Sequence, residues 1–270
     1  MIGNEPMQNS LIGKTAVITG ASGGIGLAIA KRFADAGAEL LLHVHRNRQS
    51  LEPLVTTLRQ QGKLCQIIEA DFLAPNAAQD FVGQVTNRCR SVDIWIHAAG
   101  LDLMQPDVKA VPYHKRLQRL FTVDLFVPME ISRLIGPAMK ANGNGVLVFF
   151  SWDGVDDGWT GETAELYGAV KGGVLGFCRS LAESLAPEVR VCCLAPGWIR
   201  TRWAETINDS KRNRYALHSL QNRWGTPDEV ADAVLFLVQE RSQYVDGINF
   251  RLNGGKRGTV LQEPSANNDG

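Results

Sequence analysis

No apolar run in this 270-residue chain approaches the roughly 18 residues that a membrane-spanning helix needs. The opening stretch MIGNEPMQNSLIGK has neither a basic segment nor a long apolar one, so no secretory leader is read there. Neither charge sign is in excess: Lys plus Arg is 28, Asp plus Glu is 28, and the difference is zero. This argues against binding nucleic acid or a membrane surface by bulk electrostatics. Cysteine is sparse, five in all and with no CxxC pair, which predicts reduced core thiols in a cytoplasmic protein rather than disulfides or a metal site. Repeats of solenoid period, low-complexity blocks and an interior linker are also missing, so one domain is expected. A chain of this length buries roughly 70–75% of its unfolded surface and needs no staple to hold a core.

What is present is a regular alternation. Short apolar runs at 14–20, 39–46, 64–69, 92–100, 145–151, 189–197 and 248–252 have strand length. Between them lie stretches of helical period, at 24–36, 50–61, 76–88, about 115–140, about 164–186 and 228–239. The last begins at a clear start signal, Thr226-Pro227-Asp228. The strands read as continuous apolar runs, as strands buried on both faces do. The pattern therefore predicts an α/β, doubly wound, Rossmann-type fold: a mostly parallel seven-stranded sheet with helices on both faces. The catalytic domain is expected over 12–256, with flexible tails at 1–11 and 257–270. The looser segment 198–225 is read as a lid.

The first strand runs into Thr19-Gly20-Ala21-Ser22-Gly23-Gly24-Ile25-Gly26, where a helix begins. Gly20 permits a tight turn, Gly24 lets a pyrophosphate approach the backbone, and Gly26 lets helix pack on strand. The helix N-terminus offers free N–H groups to phosphate oxygens. The second strand should end on an Asp or Glu if the ribose of NAD is bound. Residues 43–48 read HVHRNR, with no carboxylate. Arg46 and Arg48 suit a 2′-phosphate instead, so NADP(H) is expected over NAD(H).

Tyr167 and Lys171 stand four apart and so share a helix face. An ammonium beside a phenol favours the phenolate and would lower its pKa, as proton transfer near neutrality requires. Ser151 ends the preceding strand at the sheet's carboxyl edge, where a hydroxyl can donate to a substrate carbonyl.

With these residues in view, the chain resembles the short-chain dehydrogenase/reductase family, in the compact single-domain form that includes the 3-oxoacyl-carrier-protein reductases. The likeness covers about residues 12–256. It rests on the glycine turn, Asp71, Ala98-Ala99-Gly100, Ser151, Tyr167-x3-Lys171, Pro196-Gly197-x-Ile199-x-Thr201 and Gly254-Gly255. The resemblance implies hydride transfer between a nicotinamide and a carbonyl or secondary alcohol. Tyr167 would be the general acid or base, Lys171 would hold the nicotinamide ribose, and Ser151 would orient the carbonyl. Gly20, Ser22, Gly23, Gly24, Ile25 and Arg46 would hold the phosphates. Asp71 and Phe72 would contact adenine, and Ala98, Ala99 and Gly100 would line its ribose side. Pro196, Gly197, Ile199 and Thr201 would hold the carboxamide. The small-molecule carbonyl or alcohol substrate would be the partner, no metal is implied, and a homotetramer (or dimer) is expected from relatives. An alternative stays open: an NADP(H)-binding regulatory or redox-sensing module with little turnover.

The chain also departs from that family. His97 stands where an Asn is usual and is read as a hydrogen-bonded structural residue. Asp124 replaces another Asn and is counted with the catalytic group; ionised beside Lys171, it would offset the pull of Lys171 on Tyr167. Ser151 and Tyr167 lie 16 positions apart, longer than is usual, and the insertion carries Trp152, Asp153, Asp156, Asp157 and Trp159. Three acids there are expected to repel an anionic substrate. Trp152, Trp159, Trp198 and Trp203 are the expected substrate-pocket aromatics, and the basic run 211–214 is read as a solvated helix face.

Overall fold

The computed structural model describes residues 10–256. The predicted 257–270 tail lies outside the described residues. Of the predicted 1–11 tail only Ser10 and Leu11 lie within them, and Leu11 is buried, its N–H donating to the Ala36 carbonyl at 2.8 Å. Packed chain therefore begins by Leu11 and not after it.

Strands β1 (Thr15–Thr19), β2 (Glu39–Val44), β3 (Cys65–Glu69), β4 (Ile94–His97), β5 (Gly145–Phe150), β6 (Val189–Pro196) and β7 (Asn249–Leu252) form one sheet. Its order is β3-β2-β1-β4-β5-β6-β7, and every pairing is parallel. The continuous apolar runs follow from this. Ala16, Ile18, Leu40, Leu42, Ile94 and Ile96 enter one core, while Val17, Leu41, Trp95, Leu147 and Phe149 enter the other. Each strand alternates with period two, and both faces are buried.

The connecting helices are α1 (Gly24–Asp35), α2 (Glu52–Gln60), α3 (Ala77–Thr86), α4 (Pro106–Lys109), α5 (Tyr113–Phe121), α6 (Val127–Ala141), α7 (Glu162–Leu185), α8 (Arg202–Thr206), α9 (Asp209–Ala216) and α10 (Pro227–Val238). Helix α1 packs against α10 in the first core, and α3 packs against α6 in the second. The start signal at Thr226 is a full capping box: Thr226 Oγ1 accepts from the Glu229 N–H, and Glu229 Oε2 accepts from the Thr226 N–H.

Two elements differ from the sequence expectation. The single helix expected over about 115–140 is α5 and α6 joined by a π-helical turn, Thr122–Phe126. Such turns widen a helix by one residue and re-aim a side chain; this one carries Asp124. The segment 198–225 holds α8 and α9, the latter capped by Asn208 Oδ1 accepting from the Lys211 N–H.

Strand order reverses between β1 and β4, and open α/β sheets bind ligands at the carboxyl ends of strands at such a point. That crevice is where the glycine turn and Ala98–Gly100 meet.

Candidate active site

The glycine turn fits a dinucleotide phosphate. Gly20 has φ +66°, and a Cβ there would lie 2.6 Å from Ala99 Cα; a Cβ on Gly26 would lie 2.3 Å from the Gly20 carbonyl oxygen. The turn is thus closed against β4 and the helix is seated on it, which only glycine permits. Gly23 caps α1 without a side-chain bond, and the first turn carries no acid. Its N–H groups and positive dipole end are left for an anion. Gly24 faces the Thr201 side chain at 3.4 Å, so the lid rests on the phosphate turn. Ser22 and Ile25 stand in the same turn, half-buried.

A residue the sequence placed in the cofactor-selecting loop holds this turn. His43 is buried within β2, because the strand runs to Val44. Its Nδ1 accepts from the Gly20 N–H at 3.1 Å, and its Nε2 pairs with the Ala70 carbonyl at 3.0 Å. The first bond makes Nδ1 the acceptor and Nε2 the donor, so the ring is neutral. Burial is the main cause that drops its pKa to about 4. Phe72 stacks on it at 4.1 Å. The side chain of Phe72 therefore lies in the core, which corrects its expected place against adenine.

Around the mouth of β2, the two arginines separate. Arg48 donates to Glu52 at 2.8 Å and to Glu69 at 3.0 Å, so its charge is spent locally. Arg46 is exposed and makes no ion pair among the described residues. Asp71 lies 3.6 Å from His45 Nε2 and accepts from the Leu73 N–H.

Across the crevice stand Ser151, Tyr167, Lys171 and Asp124. Ser151 follows β5, and its hydroxyl donates to the Lys171 carbonyl at 3.0 Å. Lys171, on α7, donates to the Phe150 carbonyl at 3.0 Å and lies 2.9 Å from Asp124 Oδ2, both side chains buried. Asp124 Oδ1 accepts from the Leu101 N–H at 2.8 Å, and Tyr167 donates its hydroxyl to the Leu101 carbonyl at 3.2 Å. One peptide, Leu101, thus joins Asp124 to Tyr167. A Cβ on Gly100 would come within 3.0 Å of Asp124 Oδ2, so the strand end and the π-helical turn are in contact. Lys171 Nζ is 6.0 Å from the Tyr167 ring centre.

The expected acidic phenol is corrected here. Burial pushes the Tyr167 pKa well above the ordinary phenol value, and the carboxylates of Asp124 and Asp102 push it further the same way. The Lys171 charge is answered at contact by Asp124, so its pull on the phenol is largely cancelled. His97 behaves as expected of a structural residue. Ser132 donates to the Pro128 carbonyl at 2.7 Å and stands 3.2 Å from His97 Nε2, which leaves it the acceptor of that ring. Burial lowers the His97 pKa to about 3.

The inserted loop is not an acidic surface. Asp156 pairs with Arg251, Asp157 with Lys256 at 2.7 Å, and Asp153 accepts from Asn253 at 3.2 Å. The argument that three acids repel an anionic substrate therefore falls. Of the four tryptophans, Trp152 meets the Tyr167 ring edge to face at 6.2 Å. Trp159 and Trp198 line a cavity of about 390 Å³, and Trp203 stacks on Trp198 at 5.5 Å. Sequence reasoning missed Tyr215, stacked on Trp198 at 4.1 Å, and His218 and Trp224 beside it. The density of aromatics between 198 and 224 was the signal. Lys211 and Arg214 lie over the Tyr215 ring, and Arg212 ties α9 to the Ala204 carbonyl.

Pro196 ends β6, Gly197 donates its N–H to the Leu252 carbonyl, Ile199 is buried, and Thr201 caps α8. A family profile described as enoyl-(acyl carrier protein) reductase matches residues 20–257. The chain belongs to the short-chain dehydrogenase/reductase family. It is 28% identical to the 3-oxoacyl-[acyl-carrier-protein] reductase FabG of Chlamydia trachomatis, over 92% of this chain and 99% of that one. It superposes with TM-score 0.83 on a 7α-hydroxysteroid dehydrogenase complexed with NADH and 7-oxo glycochenodeoxycholic acid, at 26% identity, covering 95% of this chain and 98% of that one. A blue fluorescent protein from a metagenomic library, in complex with NADPH, gives 0.82 at 26% identity, covering 92% and 99%. This short-chain dehydrogenase/reductase is an NAD(P)-dependent oxidoreductase acting on a carbonyl or CH–OH group. Among the described residues no helix is long and apolar enough to cross a membrane, and no cluster of metal-ligating side chains is present.

Proposed function

We propose that this single domain, with its lid at 198–225, is an NADP(H)-dependent carbonyl reductase in which Tyr167 delivers the proton. The reading rests on one observation: Tyr167, Lys171, Asp124 and Ser151 are linked through Leu101 and Phe150 at the mouth of the glycine turn.

When bound, the nicotinamide cofactor supplies the hydride. The N–H groups at the start of α1 hold its pyrophosphate, and Arg46, with no carboxylate partner, takes a 2′-phosphate. Asp71 borders the adenine, Ala98 to Gly100 the adjacent ribose, and Pro196, Gly197, Ile199 and Thr201 the carboxamide. Ser151 exchanges its bond to the Lys171 carbonyl for one to the substrate oxygen. Tyr167 keeps its proton through the neutral range and is an acid rather than a base. The proton leaves the phenol for the substrate oxygen as negative charge develops there. Exposed Phe121, Phe126 and Leu134 along α5 and α6 support a homo-oligomer through that face, and the five unpaired thiols suit a reducing cytoplasm.

The test is NADPH against NADH oxidation over a panel of ketones and aldehydes. Tyr167→Phe should abolish turnover while leaving nucleotide affinity within about twofold. Arg46→Ala should raise KM for NADPH about tenfold and leave NADH unchanged. Nucleotide binding with no turnover on any carbonyl would replace this reading with the regulatory-module alternative.

A further inference from the structure

The 390 Å³ cavity is lined by neither Ser151, Tyr167 nor Lys171. Its walls come from three places: the inserted loop (Asp153, Trp159), the turn after β6 (Gly197 to Ile199), and the lid with the segment after β7 (Tyr215 to Arg223, Leu252 to Lys256). Its volume falls within the range of small-molecule sites. The insertion that lengthens the Ser151–Tyr167 interval supplies Asp153 and Trp159, so the chamber depends on this chain's own departure from its family.

The chemistry of the lining is selective. Most of its charges are answered within the protein: Glu229 by Arg223 at 2.5 Å, Asp232 by Arg32 at 2.8 Å, and Lys256 by Asp157. None of these cations is left over to hold an anion. Asp153 is the exception, held by the Asn253 amide rather than by an ion pair, and burial is the main cause that raises its carboxyl above the usual range. His218 meets Trp159 at 4.7 Å and is held below the ordinary imidazole value, first by burial and then by Lys256 and Arg214. Neutral, it offers one donor and one acceptor. Asn253 and Gln221 add amides of both kinds. Between these polar groups lie Trp159, Trp198 and Tyr215. An anion would meet Asp153 with like charge. An aliphatic ligand would strand Asp153, Gln221 and Asn253 without partners.

We propose that this chamber binds a small, uncharged, polyhydroxylated molecule, with hydroxyls on Asp153, Asn253, Gln221 and His218 and a carbon face on Trp159 and Trp198. The lid closes the chamber through backbone: the Leu220 N–H donates to the Gly255 carbonyl at 2.9 Å, and Ser219 Oγ to the Gly254 carbonyl at 3.3 Å. Two sources share this chemistry. The polyol is either the far end of the reacting carbonyl compound, which rests on the reduction proposed above, or a separate ligand.

The experiment is calorimetric titration of the full chain with D-sorbitol, with 1-hexanol and D-gluconate as the matched apolar and anionic probes. Saturable sorbitol binding is expected, at least about tenfold tighter than either comparison, and weakened about tenfold by Asp153→Asn. Gln221→Ala, checked by its melting temperature, is the second variant should Asp153→Asn fail to fold. Loss of sorbitol affinity in Ser151→Ala and Tyr167→Phe assigns the polyol to the reacting substrate; unchanged affinity makes it a separate ligand. No saturable binding, equal binding of hexanol or gluconate, or indifference to both lining variants overturns the proposal. Binding is read without turnover, so failure here leaves the carbonyl-reductase reading standing.

Discussion

Asp124→Asn is the sharpest perturbation of the site. In the native chain the Asp124 carboxylate sits 2.9 Å from Lys171 Nζ, and that ammonium is 6.0 Å from the centre of the Tyr167 ring. At an effective dielectric of about 20, a unit charge at that distance couples to a phenolate by about 3 kcal/mol, roughly a hundredfold in acid dissociation. The opposite charge on Asp124 removes most of this and leaves burial to dominate. Asn keeps an oxygen for the Leu101 N–H but carries no charge, so the Lys171 field on Tyr167 returns. The phenol of Asp124→Asn should therefore ionise about ten to a hundredfold more readily than the native one. Two assays read it. In ligand-free protein, the near-ultraviolet phenolate band attributable to Tyr167, isolated by subtracting Tyr167→Phe, should emerge at lower pH. In turnover, alcohol oxidation at mildly alkaline pH should rise by a comparable factor, and carbonyl reduction should acquire an alkaline decline. Melting should drop, since Lys171 loses a buried partner while keeping the Phe150 carbonyl, at a cost of about 1–3 kcal/mol. An unchanged phenolate onset in a folded Asp124→Asn protein would show that Asp124 does not set the charge felt by Tyr167.

His43 is neutral in the fold with its pKa lowered to about 4. Its contribution is complete above the ordinary imidazole value near 6.5 and is lost as pH falls from there through about 4, worth up to about 3 kcal/mol. Urea midpoints of wild type should fall across that window, and His43→Phe should flatten part of the fall; parallel curves would refute it. Gly26→Ala brings a Cβ within 2.3 Å of the Gly20 carbonyl oxygen, so a loss of about 3 kcal/mol or more, or failure to fold, is expected by chemical denaturation. Arg251→Gln breaks a half-exposed pair with Asp156. Stability should change by no more than about 1 kcal/mol, while limited proteolysis within 152–159 should quicken; a proteolysis pattern identical to wild type would show that the pair does not fix that loop.

The sheet was legible because burial on both faces is a property of each strand taken alone: ELLLHV must be apolar wherever its neighbours lie. The glycine turn was legible for a similar reason, since Gly20 and Gly26 answer to backbone within a few residues and to the one strand beside them. What escaped the sequence are properties of pairs far apart along the chain. Asp156 and Arg251 are 95 residues apart, and Asp157 and Lys256 are 99 apart. Read alone, the loop acids look like free charge; paired, they are a hinge plate for the insertion. His43 was misread by two residues of strand, although Leu41 and His43 share a face by period two and both belong with Phe72 and Phe81. The π-helical turn had no composition of its own, being visible only once Asp124 must reach both Lys171 and Leu101.

The Tyr167 correction has the same origin and carries a consequence for direction. A Tyr and a Lys four apart on a helix predict an acidic phenol only if nothing answers the ammonium. Here a third residue, 47 positions before Lys171 and on another element, answers it at 2.9 Å. Two opposite charges in contact act on a third group as a dipole, whose field falls off faster than that of either charge alone. The more closely Asp124 and Lys171 are matched, the less Lys171 can lower the phenol, and burial then decides. A protonated phenol donates; it does not abstract. The same substitution that weakens alcohol oxidation near neutrality therefore leaves carbonyl reduction its proton source, and a preference for reduction follows from the ion pair rather than from the cofactor.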